Sequence, residues 1–135
     1  MNSQQIFDEV VEHIRNQGRQ ASNLAGNCLY RATVYDNDGN PIGALKCAIG
    51  ALIPDSKYDK CIEGYDVYDV CRLGYVPHKY RNSHKKVDLL MDLQNCHDRS
   101  KPNTVYFLRD FEARARLCAR EFNLVYTPPQ QQTKG

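Results

Sequence analysis

The chain has 135 residues, 41% of them hydrophobic, with 18 Lys and Arg against 16 Asp and Glu for a net charge of +2. It is long enough to bury one sizeable core without disulfide or metal staples, and too apolar for wholesale disorder. No apolar run approaches the roughly 20 residues of a membrane span, and Met1-Asn2-Ser3-Gln4-Gln5 lacks the basic and apolar regions of a signal peptide, so the expectation is a cytoplasmic protein with no membrane partner.

The first predicted element is a helix from Ser3 to Gln17. Ile6, Phe7, Val10, Val11 and Ile14 recur at three- and four-residue spacing, the mark of one apolar stripe. Asn2 or Ser3 suits its cap, and Gly18 suits a left-handed stop. His13 is expected on the polar, solvated face. Arg19 to Asn27 reads as a loop. Cys28 to Tyr35 then reads as a strand, Asp38-Gly39 as a tight turn, and Ile42 to Lys46 as the returning strand. A lone two-stranded ribbon is marginal in water, so it must pack on helices.

Cys47 to Ile53 reads as a short buried helix that stops before Pro54. Gly50 costs such a helix about 1 kcal/mol against Ala, so it is expected to permit a close backbone approach. Asp55 to Glu63 reads as a solvated acidic loop. It lacks the regular oxygen ligands and bend glycine of a divalent-metal loop. Tyr65 to Leu73 is a second helix with Val67, Val70 and Cys71 inward and Gly74 at its end. Tyr75 to Lys86 is a basic, aromatic connection. Asn82 or Ser83 caps a helix to about Cys96, with Val87, Leu90, Met91 and Gln94 as its stripe. Asn103 or Thr104 caps the last helix, which runs to Phe122 on a stripe of Phe107, Phe111, Ala115, Cys118 and Phe122. Asn123 suits a left-handed stop, Leu124 to Tyr126 an extended piece, and residues 127–135 a disordered tail. The fold class is α+β: a single compact, mainly helical domain over residues 1–126, with about five helices and one small antiparallel β-hairpin.

Charge is unevenly placed. Residues 1–70 hold ten acidic and six basic side chains, and residues 71–135 hold six acidic and twelve basic ones. The basic half reads as a docking region for an anionic partner. Its candidate binding residues are Lys79, Arg81, Lys85 and Lys86 in the connection, and Arg109, Arg116 and Arg120 on the last helix. The six cysteines, at 28, 47, 61, 71, 96 and 118, include no C-x-x-C pair. In a cytosolic chain they read as buried free thiols, so no cofactor and no metal site is expected. Zinc would need Cys96, His97 and a remote pair, and adjacent Cys-His is a poor ligand spacing.

Cys28-Leu29-Tyr30-Arg31, followed by Leu45-Lys46-Cys47-Ala48-Ile49-Gly50-x-Leu52-Ile53-Pro54-Asp55, Tyr58-Asp59 and Glu63-Gly64, resembles a family of small phage and bacterial proteins with no established activity. Leu90-x-x-Leu93-Gln94-x-x-His97-Asp98 and the final helix are similar too. This chain is longer than that pattern between Arg31 and Leu45, and again after Asp98. The resemblance covers most of the chain to Tyr126 and implies a phage or prophage accessory gene acting in the bacterial cytoplasm. It carries over no catalytic residues.

Three function classes follow. The first is a non-catalytic module that binds and modulates a bacterial host protein, inhibitors of defence systems among them, with a protein or a nucleotide signal as target. The second is a nucleic-acid binder that uses the basic half, with Tyr75 and Tyr80 as stacking platforms, though no helix-turn-helix or RNP-like motif is present. The third is a small enzyme with Cys28 or Cys47 as nucleophile, His97 as base and Asp98 or Asp55 as orienting carboxylate. Cysteines flanked by Leu, Ala and Ile are the signature of inert core thiols, which weighs against the third class.

Overall fold

The computed structural model describes residues 1–102 and 105–130. Helix α1 (Ser3–Gln17) starts at a full capping box. The Asn2 carboxamide oxygen accepts from the Gln5 N–H at 2.8 Å, and the Gln5 side chain accepts from the Asn2 N–H at 2.8 Å. Both otherwise orphaned amides are thereby paired. Gly18 ends the helix at φ 72°. The five stripe residues are all buried. His13 departs from the expectation. It is half-buried, and its Nε2 lies 3.0 Å from the Lys46 carbonyl. A carbonyl only accepts, so Nε2 carries the proton and ties α1 to the end of the hairpin.

The hairpin pairs β1 (Arg31–Tyr35) with β2 (Pro41–Lys46) in antiparallel register, Arg31 opposite Lys46 and Val34 opposite Gly43. The turn is built by Asp36, whose carboxylate accepts from the Asp38 and Asn40 amides at 2.9 Å each, with Gly39 at φ 81°. β1 begins three residues later than its residue pattern implies. Cys28 forms an isolated bridge to Ser22 instead. The N–H groups of Tyr30 and Arg31 go to the Glu63 carboxylate at 2.8 and 3.2 Å.

Residues 47–53 are not the expected helix but a tight turn with a single 3-10 turn at Gly50–Leu52. Two of their amides are taken from outside, Cys47 N–H by the Tyr30 carbonyl at 3.3 Å and Ile49 N–H by the Gln94 side chain at 3.0 Å, and those of residues 50–53 bond within the turn. Cys47, Ile49, Leu52 and Ile53 are buried, as expected. The close approach expected at Gly50 is present. A Cβ there would lie 2.0 Å from the Tyr30 carbonyl oxygen.

Helix α2 (Val67–Arg72) is capped by Asp66, which accepts from the Asp69 N–H at 2.8 Å. A short helix, α3 (His78–Arg81), lies in the segment read as a connection. Pro77 presets its start. Tyr80 is buried with its hydroxyl on Glu9 at 2.9 Å, and the Arg81 guanidinium donates to the Val76 carbonyl at 2.7 Å. α4 (His84–Arg99) is capped by Ser83 and extends past Cys96. It packs against α1, α2, α3 and α5. Contact on several sides widens its buried arc to Leu89, Leu90, Leu93, Gln94, Cys96 and His97, and leaves Val87 and Met91 at the margin.

Helix α5 (Phe107–Glu121) buries Phe107, Phe111, Ala115 and Cys118. Its cap candidates Asn103 and Thr104 lie outside the described residues. Asn123 adopts φ 56°, the left-handed stop its type favours. Beyond it, Val125 and Gln4 exchange two hydrogen bonds of 2.8 and 3.0 Å. Arg15 grips Glu112 bidentately at 2.5 and 2.9 Å and donates to the Thr127 carbonyl at 2.7 Å. Residues 127–130 form no regular element, and 131–135, the rest of the expected tail, lie outside the described residues. The architecture is therefore α+β and mainly helical, with one hairpin. No described helix is long and apolar enough to cross a membrane.

Two tests follow from this packing. Gly50→Ala forces a methyl group into the Tyr30 carbonyl. It should cost about 3 kcal/mol or more in urea unfolding, because rigid backbone must move. Gly43→Ala has open space around its Cβ and should stay within about 0.5 kcal/mol. Equal effects would show that the approach at Gly50 does not matter. The second test is pH. Burial holds His13 below its ordinary 6.5, so its unfolded form binds protons more readily than its folded form. Its contribution is complete above pH 6.5 and fades as pH falls below that value. His13→Gln should flatten the stability curve in that acid window, measured by melts across pH.

Candidate functional site

On α4, Gln94, His97 and Asp98 fall at spacings of three and four, so their side chains meet. The Gln94 amide nitrogen donates to Asp98 Oδ1 at 2.8 Å, while its oxygen holds the Ile49 N–H. His97 is fully buried and edge-on to Phe107, with ring centroids 5.7 Å apart. Its Nε2 lies 3.0 Å from the Ala21 backbone nitrogen, and Nδ1 lies 2.8 Å from Asp98 Oδ1. An amide only donates, so Nε2 is the acceptor and Nδ1 carries the proton toward Asp98. Gln20 completes the joint by donating to the carbonyls of His97 and Ser100 at 3.2 and 3.0 Å.

Beside this network lies Cys28. Its sulfur, an imidazole nitrogen of His97 and a carboxylate oxygen of Asp98 are within 4.8 Å of one another. The fold thus assembles Cys28, His97 and Asp98 from the catalytic candidates and leaves out Cys47 and Asp55. Asp55 pairs instead with Arg31 at 2.7 Å and Lys46 at 3.4 Å, and those two cations, Lys46 foremost, pull its carboxyl below the usual range. A cleft of about 240 Å³ reaches Cys28 between Glu63, Asp66, Asn95 and Asp98.

The electrostatics oppose nucleophilic use of either thiol. Burial, with Asp98 adding to it, pushes Cys28 up to about 12. Burial alone is the leading cause that pushes Cys47 up to about 12. Both are thiols at neutral pH, and the lone pair of His97 is already engaged by the Ala21 amide. The thiolate is the reactive form, so the cluster lacks an activated nucleophile.

A second layer surrounds the start of β1. Glu63 accepts from two backbone amides and from the Tyr58 hydroxyl at 2.6 Å. Arg31 lies over the Tyr58 ring at 4.5 Å and donates to the Ile53 carbonyl at 3.0 Å. Its Nε is the one buried side-chain nitrogen or oxygen without a partner among the described residues. The expected solvated acidic loop is exposed over residues 54–57 and 59–61, and only Glu63 at its end turns to the backbone of the fold.

The basic candidates divide into two kinds. Arg81 is spent on Val76, and Lys86 donates to the Asn82 side chain at 2.7 Å. Lys79 lies over the Tyr80 ring at 5.1 Å, and Lys85 is exposed. Arg109, Arg116 and Arg120 are all exposed on α5. Arg116 lies over the Tyr126 ring at 5.2 Å.

Cys96 and His97, considered together for zinc, face different ways. His97 turns to Asp98 and Cys28. Cys96 turns to α5, where its sulfur, that of Cys118 and a carboxylate oxygen of Asp92 lie within 4.8 Å of one another. Hydrogen bonding to Cys96, then burial, raises the Cys118 thiol above its ordinary value. Nothing in the one-dimensional spacing marks this cluster, because it spans two helices.

No family model, curated protein or solved structure matches the chain.

Thiol reactivity tests this electrostatic picture. Cys61 is exposed, and the other five cysteines are half-buried or buried. Brief alkylation of the native protein with iodoacetamide at neutral pH, read by peptide mass spectrometry, should label Cys61 first and leave Cys28 and Cys47 unmodified until the chain is unfolded. Labelling of Cys28 as fast as Cys61 would show that it is an activated thiolate.

Proposed function

We propose that this chain is a small phage accessory protein that works as a non-catalytic binding module. It docks onto an acidic surface of a bacterial host protein in the host cytoplasm and modulates that protein, components of defence systems being the natural class of target. The phage setting rests on the resemblance of Cys28–Arg31 and Leu45–Asp55. The docking mode rests on one observation, the arginine face of α5.

Residues 109, 116 and 120 are separated by seven and four positions. At 3.6 residues per turn these steps return to within about 40° of one another. The three side chains therefore share one face, opposite buried Phe107, Phe111 and Cys118. Arg109 and Arg120 have no ion pair or hydrogen bond within the described fold, so their five donors each are free for carboxylates. Leu117, 62% exposed beside them, adds an apolar contact within a charged rim. Interfaces take their energy from such anchors and their orientation and association rate from the charges. The protonated thiols and the engaged His97 favour this reading over the enzyme.

A pull-down from bacterial lysate supplies the candidate target, and purified components supply the test. The triple variant Arg109→Glu, Arg116→Glu, Arg120→Glu should melt within about 1 kcal/mol of the parent, since exposed charges contribute little to folding. Its association rate should fall tenfold or more, with a smaller change in dissociation. A folded variant that binds with unchanged kinetics removes this face as the docking site. Tight RNA or DNA binding with a steep salt dependence would replace the protein partner with a nucleic acid.

A further inference from the structure

We propose that Asp92, Cys96 and Cys118 form a binding site for one thiophilic divalent cation of the zinc class. This is independent of the docking face and of any target.

Asp92 and Cys96 stand four apart on α4, the spacing that puts two ligands on one helix face. Cys118 arrives from α5. One ligand atom from each lies within 4.8 Å of the other two. Tetrahedral zinc, with bonds of about 2.3 Å to sulfur and about 2.0–2.2 Å to carboxylate oxygen, holds its ligands slightly closer than that. A small contraction of three side chains closes the site without moving a helix. Both cysteines are buried, at 6% and 2% exposure, so packing already holds them together.

The surroundings match the charge and coordination such an ion needs. A cleft of about 160 Å³ opens onto the cluster, enough for the water that completes a three-ligand site. Two thiolates, one carboxylate and a divalent cation sum to one negative charge. Arg99, Arg114 and Glu121 line the same cleft, and their net charge of one positive complements it. On binding, each thiol loses its proton to solvent and its sulfur lone pair forms the metal bond, so two protons leave per ion. The cluster of Cys28, His97 and Asp98 is not equivalent. Metal there would have to displace the Ala21 amide or the Asp98 carboxylate from the imidazole of His97.

The experiment uses the full chain, reduced with a phosphine and stripped of metal, with Co²⁺ as the probe. Saturation at one Co²⁺ per chain is expected, with sulfur-to-cobalt charge-transfer absorption in the near ultraviolet and tetrahedral d–d bands in the visible. Equimolar Zn²⁺ should bleach both and raise Tm. Cys96→Ser and Cys118→Ser should each weaken the charge-transfer band and lower cobalt affinity at least tenfold, and Asp92→Asn should shift the d–d bands. Cys28→Ser should leave the spectrum intact. Reduced parent protein that shows no charge-transfer band overturns the site. So does a band that vanishes in Cys28→Ser, which would move the metal to the other cluster. If a serine variant fails to fold, as read by circular dichroism, the parent spectrum and Cys28→Ser decide alone.

Discussion

The fold depends on how α4 buries two polar side chains. Gln94 and His97 lie on a helix packed by four others, where an unpaired donor or acceptor costs about 1–3 kcal/mol. Their partners are backbone amides of two loops that have no ladder of their own. Ile49 N–H reaches Gln94, and Ala21 N–H reaches His97. Each side thus satisfies the other. The hairpin follows from this, because the turn held by Gln94 also receives the Tyr30 carbonyl at Cys47 and passes it closely at Gly50. The β-ribbon, too small to stand alone, is fixed to the helical body through that turn and through His13 and Gln17 of α1, which bond the Lys46 backbone.

Glu63 performs a related task at the edge. The first amides of β1 would face solvent or an empty ladder position. They find a carboxylate instead, whose third partner is Tyr58. Arg31 then spans Ile53, Asp55 and the Tyr58 ring. The irregular chain between Pro54 and Gly64 is ordered by these contacts and by Asp59, which accepts from the Cys61 N–H at 2.9 Å. Its acidic residues are structural ligands for amides and cations. This is why a run that looks solvated in sequence has partners in the fold.

How much of this could be read beforehand depended on range. Signals within a few residues were legible: the Asn2 cap, the Gly18 and Asn123 stops, the Asp36–Gly39 turn, and the phenylalanine stripe of α5. Gly50 was legible because glycine inside an apolar run needs a reason. The failures share a cause. The strand read from Cys28 starts at Arg31, since Glu63 takes its first amides. The segment read as a helix at Cys47–Ile53 is a tight turn anchored by Tyr30 and Gln94, which accept the Cys47 and Ile49 N–H groups. α4 buries Leu89 and His97 rather than Val87 and Met91, because the number of neighbours, not the stripe, sets its buried arc. His13 is half-buried because Lys46 lies over it. In each case a residue distant in sequence supplied the competing partner. The basic candidates divided likewise: Arg81 was claimed by a carbonyl five residues away, whereas the α5 arginines face outward as their periodicity requires.

The pairing of polar groups also decides where chemistry is left over. Around Cys28 the imidazole is spent on an amide and a carboxylate, and the thiol is pushed up to about 12. The constellation of Cys28, His97 and Asp98 thereby joins α4 to the backbone of the Ala21 loop. The α4–α5 pair differs. There the carboxylate of Asp92 and two sulfurs have mainly one another for company, with a cleft and two arginines at hand. Around the same helix, α5 turns its arginines to solvent. One helix thus presents phenylalanines to the core, a thiol to α4 and cations outward. Phe107, Phe111 and Cys118 share one side and the arginines lie about half a turn away, so a substitution among the arginines leaves the packing of the buried side in place.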